Sequence, residues 1–217
     1  VEVPTNSERV RFYMNRLDVS NPSAPLLDPP VNTPGAVVTF DEMSGRAVTL
    51  DYLEAYGGPV VRLVDTGPAS LDSAIILGST ALEANQDVFS VVQGDNRVFA
   101  AVQMPVRTWL ADTDCLHNPD CVIPPTEQPL IVLGGFRTGR FETGRLTLSP
   151  ALLIAGGRSA MVSVGSQLLV VDAADVSAPR IVDQFDVPSA PQLLESVHGV
   201  AIALSRYGGV QVFPLPK

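Results

Sequence analysis

The sequence predicts an all-β repeat fold, on three observations. Its apolar runs are short, rich in Val, Leu and Ile, and broken every few residues by 17 glycines and 19 prolines, which punctuates many short strands better than helices. One phrase occurs twice. LDVSNPSAPLLDPPVNTPG from Leu17 and LLVVDAADVSAPRIVDQFDVPS from Leu168 align without a gap, so that Asp18 meets Asp172, Pro25 meets Pro179, Leu27 meets Ile181 and Pro34 meets Pro188, all 154 residues apart. A second pattern, a turn residue followed at once by a strand, begins at Gly45, Asn96, Gly157 and Gly199, in steps of 51, 61 and 42 residues that span the same 154. Both patterns give three repeat steps.

The elements follow in order. Glu8 to Ser20 alternates and runs into an Asx-type turn closed by Asn21-Pro22, which reads as a strand. Ala24 to Val31 carries Pro25, Pro29 and Pro30; proline cannot donate to a ladder, so this strand belongs at a sheet edge. Ala36 to Phe40 and Arg46 to Tyr52 form a hairpin around Glu42 to Gly45 and read as buried strands. The second strand of that hairpin recurs as Asn96 to Val102, Gly157 to Val162 and Gly199 to Leu204, each apolar on both faces, as a strand between two neighbouring sheets must be. Gln192 to Val197, Val200 to Ser205 and Val210 to Pro214 close the chain as three strands. Thr66 to Ser90 departs from the repeat, and Thr108 to Gln128 is an insertion in the longest step. No stretch holds a capped 3.6-residue stripe, so no helix longer than about two turns is expected.

Units of this length with about four strands each predict a β-propeller of about four blade repeats. With strands lettered A to D from the axis outward, the chain opens on C and D, runs three full blades and ends on A, B and C. One C is surplus to self-closure, so the chain reads as the C-terminal part of a larger propeller; the rival is a closed four-bladed form with Arg9 to Ser20 as an extra strand. The start at Val1, with neither methionine nor leader, reads as processed or truncated.

Composition narrows the partners. The 217 residues are 46% hydrophobic and 17% charged, an ordinary globular balance. With 14 basic against 23 acidic residues the net charge is −9, and no basic cluster exists to neutralise phosphates, which disfavours nucleic acid. No apolar run reaches the roughly 18 to 20 residues of a membrane-spanning helix.

The phrases Leu169-Val170-Val171-Asp172 with Ser177-Ala178-Pro179, and Asn15 to Pro22, resemble the LVIVD-type repeats of secreted bacterial β-propeller proteins, distantly similar to WD40 propellers. The likeness is strong at both ends and weak in the middle. It implies a propeller and an extracytoplasmic address, and carries no shared catalytic motif.

Candidate chemistry concentrates in the insertion. Cys115 and Cys121 read as a local disulfide in an oxidising compartment. Asp112, Asp114 and Asp120 offer hard oxygen donors suited to calcium, although the glycine and closing glutamate of a standard calcium loop are absent; zinc on Cys115, His117 and Cys121 has less support. Trp109, Leu110 and Leu116, with Asp112, Asp114 and His117 at the rim, form a candidate partner-binding surface, against the plainer reading of a loop folded over its own blade.

Elsewhere the signals are weak. His198 sits in a turn without a partner for general-base work. Gly134 to Arg140 imitates a phosphate loop by glycine spacing but reads better as a β-turn, and no G-x-S-x-G elbow occurs. Arg46, Arg97 and Arg158 recur at the start of one strand in three repeats, where the fourth has Val200; they form a ring around a channel mouth or pair with turn acids such as Asp41, Glu42 and Asp95. The functional expectation is a non-catalytic interaction scaffold without cofactor, calcium excepted, whose partner is another protein or the missing N-terminal blades. The alternative is a small-molecule hydrolase or carbohydrate-binding propeller with a metal near the central channel.

Overall fold

Alternation decides the architecture, and β10 shows how. In Arg97–Gln103 the residues Val98, Ala100 and Val102 point to one side and Phe99 and Ala101 to the other, and all five are fully buried. A strand dry on both faces must lie between two layers. The computed structural model describes residues 12–53, 58–67, 73–83, 86–103, 128–135 and 138–215. Among them it contains strands and turns and no helix.

Three four-stranded antiparallel sheets follow one another. The first is β5 (Ala36–Asp41), β6 (Arg46–Leu53), β7 (Gly58–Asp65) and β8 (Ile75–Ala81). The second is β9 (Asp87–Gly94), β10, β11 (Pro129–Gly134) and β12 (Glu142–Thr147). The third is β13 (Leu152–Gly156), β14 (Ser159–Val164), β15 (Gln167–Asp172) and β16 (Arg180–Asp186). A last sheet has three strands, β17 (Pro191–Val197), β18 (Val200–Ser205) and β19 (Gly209–Pro214). Strand order within each sheet is chain order.

Before the first sheet lies a broken hairpin. β1 (Phe12–Met14) pairs with β4 (Val31–Thr33), and β2 (Leu17–Asp18) with β3 (Leu26–Leu27). The expected strands Glu8 to Ser20 and Ala24 to Val31 are thus shorter and interrupted where they are described; the prolines between β3 and β4 remove donors there.

The sheets stack face to face in chain order. Val48, Val61 and Leu63 of the first sheet meet Val98, Ala100, Ile131 and Leu133 of the second. The opposite face of the second, Phe99, Ala101, Leu130 and Val132, meets Leu153, Ala160, Val162 and Val171 of the third. Ile154, Met161, Leu168 and Val170 then meet Leu194, Ala201 and Ala203 of the last. Each large side chain in these seams contributes about 1.5–3 kcal/mol by leaving water. The first strands of successive sheets are neighbours, β5 beside β9, β9 beside β13 and β13 beside β17. The described residues do not form a closed ring, and the four-bladed closed form is not what they adopt.

Two expectations about burial fail for one reason. β5 was expected buried, yet Ala36, Val37 and Val38 are exposed. β18 was expected dry on both faces, yet Leu204 is 39% exposed. Both strands stand at the ends of the stack, where among the described residues only the broken hairpin covers part of the first sheet's outer side. The departing stretch Thr66 to Ser90 proves to hold an ordinary fourth strand, β8, whose register on β7 shifts between Leu63 and Val64; that bulge breaks the alternation by which a strand is read.

Candidate functional site

A shared polar motif stands at the turns that follow β2, β7 and β15. Asp18 ends β2 of the hairpin, Asp65 and Asp172 end the third strands of the first and third sheets, and each accepts a hydrogen bond on Oδ1 from the backbone N–H two residues on: Ser20 at 2.8 Å, Gly67 at 2.8 Å and Ala174 at 3.0 Å. Asn21 and Asp175 repeat the motif three residues later, accepting from Ser23 at 3.2 Å and Ser177 at 3.0 Å. These are Asx turns, a carboxylate or amide standing in for a turn carbonyl. The 154-residue offset therefore holds bond for bond. Asp65 is a member that the sequence did not reveal, because no proline phrase follows it.

Two of the carboxylates are held ionised by their turns. The Ser20 backbone N–H, with the Ser20 hydroxyl second, lowers the Asp18 carboxyl below its ordinary value. The Ser177 hydroxyl, then the Ser177 N–H, does the same for Asp175. Hydrogen bonds to the charged form favour it.

The same turns receive the recurring arginines. Arg46, at the start of β6, donates through Nη1 to the Gly135 carbonyl at 3.4 Å, in the turn of the next sheet, and lies 3.8 Å from Asp65. Arg97, at the start of β10, donates through Nε to Ala173 and through Nη2 to Ala174 at 2.9 Å, again in the next sheet, and through Nη1 to its own turn at the Asp95 carbonyl, 3.1 Å. Arg16, between β1 and β2, does the equivalent for the first sheet, reaching the Thr66 carbonyl at 3.2 Å. Thr66, Gly135 and Ala173 are the first residues after the third strands of their sheets. The arginines are clamps between successive sheets. The expected pairing with turn acids holds in part, through Arg46 and Asp65; what the sequence did not indicate is that Arg46 and Arg97 also reach backbone carbonyls across a seam, because their guanidinium groups lie level with the neighbour's turn.

Arg97→Met removes these donors while keeping most of the apolar stem. It is expected to cost about 1–2 kcal/mol, the worth of charged hydrogen bonds to carbonyls of which one, at Ala173, is partly buried and two, at Asp95 and Ala174, are exposed. Arg158→Met should stay within about 0.5 kcal/mol, the range of a surface change, because Arg158 is exposed and its side chain, unlike its backbone carbonyl, makes no hydrogen bond with a described residue. Urea denaturation of both variants checks the difference.

The turn residues opening the second strands behave alike. Gly45, Asn96, Gly157 and Gly199 all have positive φ, at 67°, 53°, 55° and 83°, the left-handed conformation for which glycine and asparagine are suited. His198 precedes Gly199 and shares this geometry with φ 48°, the two central residues of a tight hairpin turn. Gly135 and Gly139 close their turn by a bond from the Gly139 N–H to the Gly135 carbonyl at 2.8 Å, and β12 follows. The segment is thus a turn between two strands with no helix after it, closed by an i to i+4 bond rather than the i to i+3 bond of the expected β-turn.

A charged pair was missed. Arg62, only 6% exposed, donates through Nη1 to Asp51 at 2.8 Å and to the Pro34 carbonyl at 2.9 Å, tying the link from β4 to β5 onto the back of the first sheet. Thr49 adds a bond to the same carbonyl at 3.1 Å. The signal was present as an arginine inside the apolar run PVVRLV.

Two clefts open on this framework. One, of about 800 Å³, lies behind the first sheet, between β1–β2 and the turn of β5 and β6, lined by Leu17, Asp18, Val37, Phe40, Glu42 and Met43 among others. The other, of about 470 Å³, lies between β16 and the end of β19, where Arg158, Asp172 and Asp183 meet Val182, Phe185 and Leu215. Among the described residues no group of three His, Cys, Asp or Glu side chains is arranged to hold a metal, and no helix is long and apolar enough to cross a membrane. Trp109, Leu110, Asp112, Asp114, Cys115, Leu116, His117, Asp120 and Cys121 lie outside the described residues. So do the expectations resting on them, calcium and the disulfide included. No protein-family model matches the chain, and no curated protein matches it.

Proposed function

We propose that the chain is an arc of a β-propeller, part of a larger ring than its own sheets make, and that it serves outside the cytoplasm as a non-catalytic, protein-binding scaffold related to the LVIVD-repeat proteins. The observation that carries this reading is the regularity of the stack. Successive sheets meet through alternating apolar faces, first strand beside first strand, and are clamped by arginines onto equivalent turns. Such a frame holds its loops rigidly, and recognition in rigid repeat frames concentrates on the loops that depart from the repeat.

The departing loop is Thr108 to Gln128, which lengthens one step to 61 residues against 51 and 42. Its prolines, Pro119, Pro124 and Pro125, and its cysteine pair reduce the entropy lost when a loop is ordered against a partner. Trp109, Leu110 and Leu116 supply apolar contact on this reading. The address outside the cytoplasm is supported by the repeat resemblance and by the closely spaced cysteines.

Replacing Ala111 to Pro125 by a short Gly-Ser bridge is the test. Unchanged melting with lost capture of a natural partner is the expected result. Capture that survives the deletion, or a chain that no longer folds, assigns the loop to architecture instead.

A further inference from the structure

We infer that the protein meets its partner with one end of the stack, the end where second strands pass to third strands, that Tyr207 is a contact residue there, and that the partner is a protein with a basic surface; this rests on the scaffold reading above. The clamps fix which turns share an end. Arg46 and Arg97, each at the start of a second strand, reach Gly135 and Ala173, each just past a third strand of the next sheet, and Arg158 lines one cleft with Pro214 and Leu215 at the end of β19. Turns from first to second strand and from third to fourth therefore lie at one end of the stack. Neighbouring strands within each sheet are antiparallel, so the connections from second to third strand lie at the other. These are residues 54–57, 104–128, 165–166 and 206–208. The insertion leaves and re-enters the frame at this end, from β10 to β11.

The same connections collect aromatic residues. Of the chain's four tyrosines and one tryptophan, Tyr56, Trp109 and Tyr207 fall in them, and the triplet Tyr-Gly-Gly leads into a third strand twice, at 56–58 and at 207–209. Tyr207 is 80% exposed, and the Arg206 guanidinium carbon lies 5.5 Å from its ring centroid, which fixes one face of the ring and leaves the other free. The turn itself does not require an aromatic side chain. In the third sheet Gly165 and Ser166 make the same connection with φ 56° at Gly165. The tip that carries Tyr207 is also held still: the Gly208 N–H donates to Ser205 Oγ at 3.1 Å, and a Cβ on Gly208 would stand 3.2 Å from Pro188. A tyrosine has two side-chain torsions, so on a fixed turn it offers a large contact area with little freedom to lose, and tyrosine and tryptophan dominate binding energy at protein interfaces.

Charge says what kind of protein fits. In these connections Glu54, Asp112, Asp114, Asp120 and Glu127 outnumber Arg107 and Arg206, so this end draws a basic surface. Its span suits one partner. Sheets pack about 10 Å apart, which sets the turns of the second and last sheets on the order of 20 Å apart, within the roughly 800 Å² that one partner covers in a standard interface.

The experiment is a binding titration, at several salt concentrations, against the protein that the whole chain captures, once that protein has been purified and identified by mass spectrometry. Tyr207→Ser is expected to weaken binding by about tenfold or more with melting unchanged, and affinity is expected to fall as salt rises. Arg158→Ser, an exposed change at the opposite end, should leave affinity as it is. Full affinity in Tyr207→Ser, while bridging of Ala111 to Pro125 abolishes binding, overturns this inference and leaves the loop reading standing. Affinity indifferent to salt, an equal loss in Arg158→Ser, or a partner released by removing its glycans overturns it as well. If the folded chain retains no protein beyond what a heat-denatured control retains, the scaffold reading and this inference fall together.

Discussion

Replacing Phe99 by alanine is expected to destabilise the protein by about 3–5 kcal/mol, the cost of losing a large aromatic side chain from a core that relaxes incompletely. Phe99 is the largest of the fully buried side chains. It sits in the seam between the second and third sheets, among Ala101, Leu130, Val132 and Val162. The neighbouring alanines, Ala101 beside it on β10 and Ala160 on the facing β14, have no atoms to extend into the space left behind. For a chain of this length the loss corresponds to a fall in Tm of roughly 10 °C. Thermal melting followed by far-ultraviolet circular dichroism reads it. A shift of two degrees or less would mean that the second and third sheets do not share this seam.

Gly144→Ala is expected to cost about 3 kcal/mol although it adds one methyl group. Gly144 lies on β12, and a Cβ there would run into the carbonyl oxygen of Val176 and stand 2.7 Å from Pro179 Cδ, both in the turn of the following sheet. The obstacle is backbone and a proline ring, so one whole turn must move. The same register position in the first sheet is Gly78, opposite Leu63 as Gly144 is opposite Val132, and Phe141 of the second sheet seats on it. Gly165→Ala is the control. Gly165 has φ +56° with nothing within 4 Å, so alanine there pays left-handed strain alone, about 1 kcal/mol. Equal shifts of the urea midpoint in the two variants would show that Gly144 is no seat for the neighbouring sheet.

The third sheet breaks that pattern in a way that bears on assembly. Opposite Val170, where Gly78 and Gly144 have their counterparts, stands Asp183. No turn seats there, and the position opens instead on the cleft that also holds Arg158 and Asp172. The last seam of the arc is therefore looser at its rim than the two before it, although its centre, around Met161, Leu168 and Ala201, is as dry.

Much of the framework was legible in the residues. A period-two alternation and a turn residue leave their marks locally, so the strands from Arg46, Asn96, Gly157 and Gly199 onward, their left-handed turns and the final three strands could be read directly. The 154-residue offset was legible too, because an Asx turn needs a particular side chain at a particular step. The clamps were half visible: the recurrence of Arg46, Arg97 and Arg158 stood in the sequence, and their partners did not. A guanidinium recognises a carbonyl oxygen, and backbone carbonyls are the same at every residue.

What the chain determined by itself is therefore which segments are strands, where they turn and which units repeat, since each depends on neighbours a few residues away. The tertiary structure alone decided that Arg97 reaches Ala173, that Gly144 is a seat for Val176, and that Val37 and Val212 face outward while Val98 and Phe99 do not. Apolar residues at positions facing a neighbour and at positions facing nothing look alike in sequence. Burial is a property of what lies across the gap, and that is fixed when the sheets stack.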